Sequence, residues 1–249
     1  SSDLNDVNLM PALFFIRFFK NHGLLSVTDR PQWYTLPGGS RSYIEPLTAS
    51  FRERIRLETP VKSVRNTNQG VEVATALGVE LYDAVVLASH SDQSLALLDD
   101  SERAVKTLLQ GVPYADNEVV LHTDRSQMPT NRRAWASWNY QIQTNPDRLG
   151  AVVTYDMNRL QNLQGPHQLF VTLNNTKQIK SESILGCWTY AHPQFGPDSV
   201  RIQSGIDRMN STSRIKIAGA WCQNGFHEDG VVSGEKAAEA TKTTLGIHV

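Results

Sequence analysis

The sequence predicts a mixed α/β fold (α+β) in which an antiparallel sheet is inserted between two α/β segments. Three observations predict it. The apolar run at 84–88, Ala-Val-Val-Leu-Ala, reads as a strand covered on both faces and is followed by helical spacing. Residues 117–192 carry short strand-like runs broken by polar turns, with few helix signals. The chain then closes on a short buried strand at 215–221, a glycine-rich turn, and a helix continuing through Ala237, Ala238 and Ala240.

The elements follow in order. A helix is expected at 10–20, where Phe14, Phe15, Phe18 and Phe19 share one side and Arg17 and Lys20 are displaced from it. It is too short to span a bilayer. Packing on the core or lining an apolar pocket is the favoured reading, and lying on a membrane surface is the alternative. Residues 31–39 form a loop. Ile44, Leu47 and Phe51 have helical spacing interrupted by Pro46. Strands are expected at 54–57, 61–64 and 71–75, then within 81–88. Ser91 or Asp92 caps a helix carrying Leu95, Leu97 and Leu98, and Ser101 caps another that reaches Leu109. In the inserted region the strand-like runs are 118–122, 134–138, 151–155, 169–173 and 184–190. A helix at 199–209 has Val200, Ile202 and Ile206 on one side.

Composition bounds the function. The 249 residues are 40% hydrophobic and 20% charged, as in a soluble globular protein with a real core. A net charge of −1 gives no basic face for nucleic acid. Two cysteines, Cys187 and Cys222, suit a reducing, cytoplasmic setting. No G-x-G-x-x-G, Walker loop, G-x-S-x-G, H-E-x-x-H or C-x-x-C occurs. Among seven histidines, His90, His192 and His227 lie in loops, and no pair has metal-ligand spacing.

The most informative stretch is Ile215-Lys216-Ile217-Ala218-Gly219-Ala220-Trp221, then Asn224-Gly225-Phe226-His227-Glu228-Asp229-Gly230-Val231-Val232-Ser233-Gly234. Glycines allow close backbone approach, and a helix N-terminus presents unpaired N–H groups at its positive end. Together they seat an electron-rich or anionic group.

This stretch, continued through Glu235-Lys236-Ala237-Ala238, is similar to the end of the flavin-containing amine oxidoreductases, whose A-G strand and G-x-x-x-G-A-x-x-S-G-x-x-A-A helix start close over the flavin. Gly38-Gly39-Ser40 resembles the G-G loop packed near the isoalloxazine of that superfamily. Pro60-Val61-Lys62-Ser63-Val64 resembles its strand whose Val backbone contacts adenine. Tyr82-Asp83-Ala84-Val85-Val86-Leu87-Ala88-Ser89-His90 resembles the strand and turn under the pyrophosphate. The subgroup with a G-F-H-E-D-G-x-x-S-G signature, predicted FAD/NAD-binding oxidoreductases, is the most similar.

The resemblance implies FAD as cofactor, with Gly38, Gly39, Ser40, Val61, Ser89, His90, Gly219, Ala220, Trp221, Phe226, Asp229, Gly230 and Val231 around it. N–H groups of Gly230 and Val231 would favour negative charge on the reduced ring by about 0.3–2 kcal/mol, and Asp229 or Glu228 would cap the helix or meet ribityl hydroxyls. Phe226 falls where the superfamily places one aromatic wall of a substrate cage. Trp188 and Tyr190 are candidates for the opposite wall, with core packing as the favoured alternative. Trp135, Trp138 and Tyr140 read as a sheet face. No single catalytic acid or base is obligatory for hydride transfer to flavin.

Two departures stand out. Ala220-Trp221 occupies the place where many amine oxidases carry Glu after A-G, and the N-terminal βαβ unit with its diphosphate-binding glycines is absent. The expected organisation is therefore a partial FAD-binding domain. Residues 1–30 hold the N-terminal helix of the substrate domain, 31–113 and 199–249 the two parts of the FAD-binding domain, and 114–198 the antiparallel-sheet substrate domain. Upstream sequence is expected to complete it in cis or in trans. The expected activity is two-electron oxidation or desaturation of a small amine or an apolar, lipid-like substrate. The alternatives are a truncated non-catalytic remnant and an apolar-ligand-binding domain without FAD.

Overall fold

The computed structural model describes residues 12–21, 23–28, 32, 34–141 and 152–247. In chain order the helices are α1 Ala12–Asn21, α2 Ile44–Thr48, α3 Ser91–Leu97, α4 Arg103–Gln110, α5 Met157–Gln161, α6 Ser199–Thr212 and α7 His227–Leu245. The strands are β1 Ser63–Asn66, β2 Val71–Thr75, β3 Gly78–Tyr82, β4 Val85–Leu87, β5 Tyr114–His122, β6 Trp138–Gln141, β7 Val152–Asp156, β8 Phe170–Leu173, β9 Ile184–Pro193 and β10 Ile215–Ile217. The fold is mixed α/β. The described residues group into two compact units, a first within Leu9–Asp29, Thr48–Pro113 and Phe195–Val249, and a second within Arg30–Leu47 and Tyr114–Gln194.

In the first unit β1, β2 and β3 form an antiparallel sheet, while β10 and β4 form a parallel pair with Ile215 beside Val85 and Ile217 beside Leu87. The core lies where these ladders meet α4 and α6, and it holds Val64, Val71, Leu98, Leu109, Ile202, Ile206, Ile215 and Ile217. The run expected at 81–88 is in fact divided between the end of the β3 hairpin and the parallel strand β4. Val86 is 41% exposed, so β4 is covered on one face and not on both.

Two buried polar side chains hold the centre. Asn210 of α6 accepts from the Ile217 N–H and donates to the Ile217 carbonyl, both at 2.8 Å. Its amide thereby imitates a neighbouring strand and closes the edge of β10 that faces away from β4. Lys216 is wholly buried and donates from Nζ to the Asn210 carbonyl at 2.5 Å and to Thr244 Oγ1 at 2.6 Å. Burial pushes its ammonium below the usual lysine value. The negative ends of α6 and α7 act in the opposite sense, because their last carbonyls lack intrahelical partners.

In the second unit five antiparallel strands run β6-β7-β8-β5-β9. One face is buried around Val120, Phe170, Thr172 and His122. The His122 ring fixes its own tautomer: Nδ1 accepts from the Asp124 N–H at 3.1 Å, so Nε2 carries the proton and donates to Thr172 Oγ1 at 2.7 Å. Thr172 Oγ1 lies 2.8 Å from Thr154 Oγ1. Burial lowers the His122 pKa, and the nearby Asp124 charge opposes this in part. A folded value below the unfolded one means that the unfolded chain takes up the proton first. The stability contributed by neutral His122 is therefore complete above about pH 6.5 and is lost as pH falls through the folded value. Urea midpoints of the native chain should fall between pH 7.5 and 5.5, and His122→Gln should flatten that dependence. An equally steep profile in the variant would assign it to other groups.

Several local expectations are corrected. Residues 54–57 form no strand: Arg54 ends a 3-10 turn, and Arg56 reaches Glu80 of β3 with two hydrogen bonds. Of the run at 134–138 only Trp138 lies in a strand, as the first residue of β6. The Trp135 indole donates to the Pro129 carbonyl, and the Asn139 side chain bonds both the N–H and the C=O of Ala136, so pairing starts only at Trp138. His90 takes the cap position expected of Ser91 or Asp92, and Glu102 the one expected of Ser101. Ile44, Leu47 and Phe51 are exposed and belong to no core. No described helix is long and apolar enough to cross a membrane.

Candidate cofactor site

The closing strand, turn and helix are tied together by backbone pairing and by the side chains of Ser233 and Trp221. After β10, Ala218 extends the ladder by donating to the Leu87 carbonyl at 3.0 Å. The Gly219 N–H donates to Ser233 Oγ at 2.9 Å, and Ser233 Oγ donates in turn to the Gly230 carbonyl at 2.9 Å. One buried serine of α7 thus ties the turn to the helix start. The Trp221 indole N–H donates to the Ser89 carbonyl at 3.1 Å, fixing the turn to the loop after β4. A Cβ on Gly219 would stand 2.6 Å from Trp221 Nε1, so only glycine fits beside that ring.

The structure brings Ser89, Gly219, Ala220, Trp221 and Gly230 into one corner of the first unit. Trp221 is 4% exposed and its N–H is engaged, so it props the turn from within and turns no open ring face outward. The expected position of the helix start is corrected too. α7 begins at His227, and the Gly230 N–H already donates to the Phe226 carbonyl. By the helix rule, the N–H groups lacking an intrahelical acceptor belong to residues 227–229, and not to Gly230 and Val231. Asp229 caps the helix, its Oδ2 accepting from the Phe226 N–H at 2.9 Å.

The remaining candidates fall in different places. His90 donates its N–H to Gln93 Oε1 at the start of α3. Val61 packs against the core of the first unit. Phe226 stacks on Phe18 of α1 with ring centroids 5.6 Å apart, and Val231 is exposed. Gly38, Gly39 and Ser40 belong to the second unit. There the Gly39 N–H closes a turn onto the Leu36 carbonyl, and φ values of +80° and +78° require glycine at both positions.

Trp188 and Tyr190 also belong to the second unit and are about half exposed, so they are not core residues. Strand register sets Tyr140, Val153, Leu173, Val119 and Trp188 in one row across the sheet. Alternation puts Trp138 and Tyr190 on that same face, whereas Trp135 lies off the strand. Sequence reasoning missed Asn210, Ser233 and Phe18 as positioning residues. Only Ser233 carried a signal, lying three residues after Gly230, one helical turn away.

No family model and no curated protein sequence matches the chain. Solved structures do match in shape. Cyclohexylamine oxidase from Brevibacterium oxydans IH-35A matches with a TM-score of 0.63 and 13% identity over 97% of this chain and 61% of that one. The fold of this chain is similar to that of part of this oxidase. A fatty acid isomerase from P. acnes that produces CLA matches with a TM-score of 0.60 and 15% identity over 85% of this chain and 52% of that one. Reduced UDP-galactopyranose mutase matches with a TM-score of 0.62 and 12% identity over 97% and 62%. The chain thus spans between half and two thirds of the length of these structures.

Proposed function

We propose that this chain forms the flavin-ring end of an FAD-dependent oxidoreductase acting on an apolar substrate or a small amine. One observation carries the reading: the Gly219 turn, Ser233 and the start of α7 form a single hydrogen-bonded corner at a positive helix end. The helix end suits the group. The positive N-terminal end of α7 would favour an electron-rich ring carbonyl, worth about 0.3–2 kcal/mol through the dipole. Asp229 is engaged with the Phe226 N–H, which leaves Glu228 as the opposing charge in the first turn. Flavin, when bound, accepts a hydride from a C–N or C–C bond. The chain's own part is to hold the ring with α7 and to exclude water with Phe226 and the Phe18 ring stacked on it.

The aromatic sheet face supports an apolar substrate, because Trp138, Tyr140, Trp188 and Tyr190 present ring area and no charge. A small amine would also be drawn to such faces. Among the described residues no strand pairs with the outer edge of β4. A parallel pair of only two strands is rare as a finished sheet. We assign the diphosphate end to a further segment, in cis or in trans, that completes this ladder. Two free cysteines suit a cytoplasmic setting.

Titrating riboflavin and FAD into the purified chain, read by flavin fluorescence, tests the reading. Saturable quenching is expected with both ligands, since the corner at Gly219 and α7 meets the ring that they share. Unperturbed flavin emission with both ligands would overturn it and favour the non-catalytic remnant.

A further inference from the structure

On α1, Phe18 and Phe19 are half-buried, whereas Phe15 is 44% exposed. Phe15 and Phe19 lie 4.2 Å apart by ring centroids, and Phe18 stacks on Phe226. The side left outward holds Leu13, Ile16, Arg17 and Lys20, spaced i, i+3, i+4 and i+7, so they form one stripe along the helix. All four are exposed, Ile16 to 53%. The helix ends at Gly23, whose φ of +63° turns the chain, and the turn adds Leu24, Leu25 at 63% and Val27 at 92% exposure. Large aliphatic side chains and two cations thus share a short segment, and 12–28 contains no acidic residue.

We propose that α1 and the turn after it dock the protein onto an anionic bilayer surface. The aliphatic groups enter the headgroup–acyl boundary, and Arg17 and Lys20 extend their long stems toward lipid phosphates and carboxylates. Charge complementarity selects this occupant. A protein partner of ordinary hot-spot chemistry would meet Trp, Tyr and Arg in a pocket. This stripe is a convex helix face and turn tip of Leu, Ile and Val flanked by cations. The Phe18 stack then joins the docked helix to Phe226 at the start of α7.

The inference stands apart from flavin binding and is tested without it. The chain is sedimented with vesicles of phosphatidylcholine alone and of phosphatidylcholine with phosphatidylserine. It should sediment with the anionic vesicles and be released by added salt as charge is screened. Arg17→Ser combined with Lys20→Ser should lower the partition coefficient about 30-fold, at roughly 1 kcal/mol per basic residue. Ile16→Ser with Leu25→Ser should lower it by about tenfold or more. Because all four positions are exposed, the variants should keep the native thermal midpoint and the same flavin titration. Failure of the native chain to sediment with anionic vesicles would overturn the proposal, as would unchanged binding by the charge variant. A dimer that Ile16→Ser with Leu25→Ser disperses, in a chain that ignores lipid, would assign the patch to a second copy instead.

Discussion

Asn210→Leu should cost the chain about 2–6 kcal/mol of unfolding free energy. The estimate comes from leaving two buried groups unpaired, at roughly 1–3 kcal/mol each. Those groups are the N–H and C=O of Ile217, which lies in a wholly buried strand and, among the described residues, is met on that edge by the Asn210 amide. Leucine fills similar volume, so the loss would come from hydrogen bonding and not from a cavity. Against a typical total of about 5–15 kcal/mol this is a large fraction. The urea midpoint should fall while the slope of the transition is unchanged. Asn210→Asp should fall between the two, because a carboxylate still accepts from the Ile217 N–H but cannot donate to its carbonyl. A change below about 1 kcal/mol in Asn210→Leu would mean that β10 finds another edge partner.

Gly219→Ala and Gly230→Ala should move stability in opposite directions. At Gly219 the added Cβ would overlap the Trp221 indole, with 2.6 Å to Nε1 and 2.8 Å to Cδ1. The ring must shift and release the Ser89 carbonyl, an overpacking cost of about 1–3 kcal/mol plus about 0.5–1.5 kcal/mol for the bond. At Gly230 the nearest atoms to an added Cβ are those of Ala220 at 3.9 Å, an ordinary contact. Alanine inside α7 should therefore gain up to about 1 kcal/mol in helix propensity. Thermal unfolding of the two variants reads the contrast. The flavin titration extends it: Gly219→Ala should weaken ring binding by disturbing the corner, whereas Gly230→Ala should leave it near the native value. A stabilised Gly219→Ala would show that the turn is not held by Trp221.

The two α/β glycine positions look alike in sequence, and only the coordinates separate them. The same holds for much of the site. The strand at 85–87 is legible from its short apolar run, although Val86 is exposed on one face, and the strand at 215–217 from Ile215 and Ile217 flanking Lys216. The closing helix was legible from its length and alanine content, but its first residue was displaced by three. A helix begins where a cap is made, and here Asp229 makes it by turning back to the Phe226 N–H. Residues 134–138 misled for a related reason. Strand-like side chains cannot enter a ladder when Asn139 and Pro129 have already taken the local backbone and indole groups.

The sequence by itself determined the mixed α/β class, the inserted antiparallel sheet, and the glycine turn with a long helix after it. These are consequences of periodicity and backbone freedom, which act over a few neighbouring residues. Tertiary structure alone decided that Asn210 closes a strand edge, that Lys216 sits between two helix ends, and that Ser233 and Trp221 hold the glycine turn. It also decided that Phe18 of α1 stacks on Phe226 while Leu13, Ile16, Arg17 and Lys20 stay exposed. These depend on side chains finding partners across turns and between elements, some of them far apart along the chain. Trp221 and Ser89 are 132 residues apart, and no local pattern encodes their meeting.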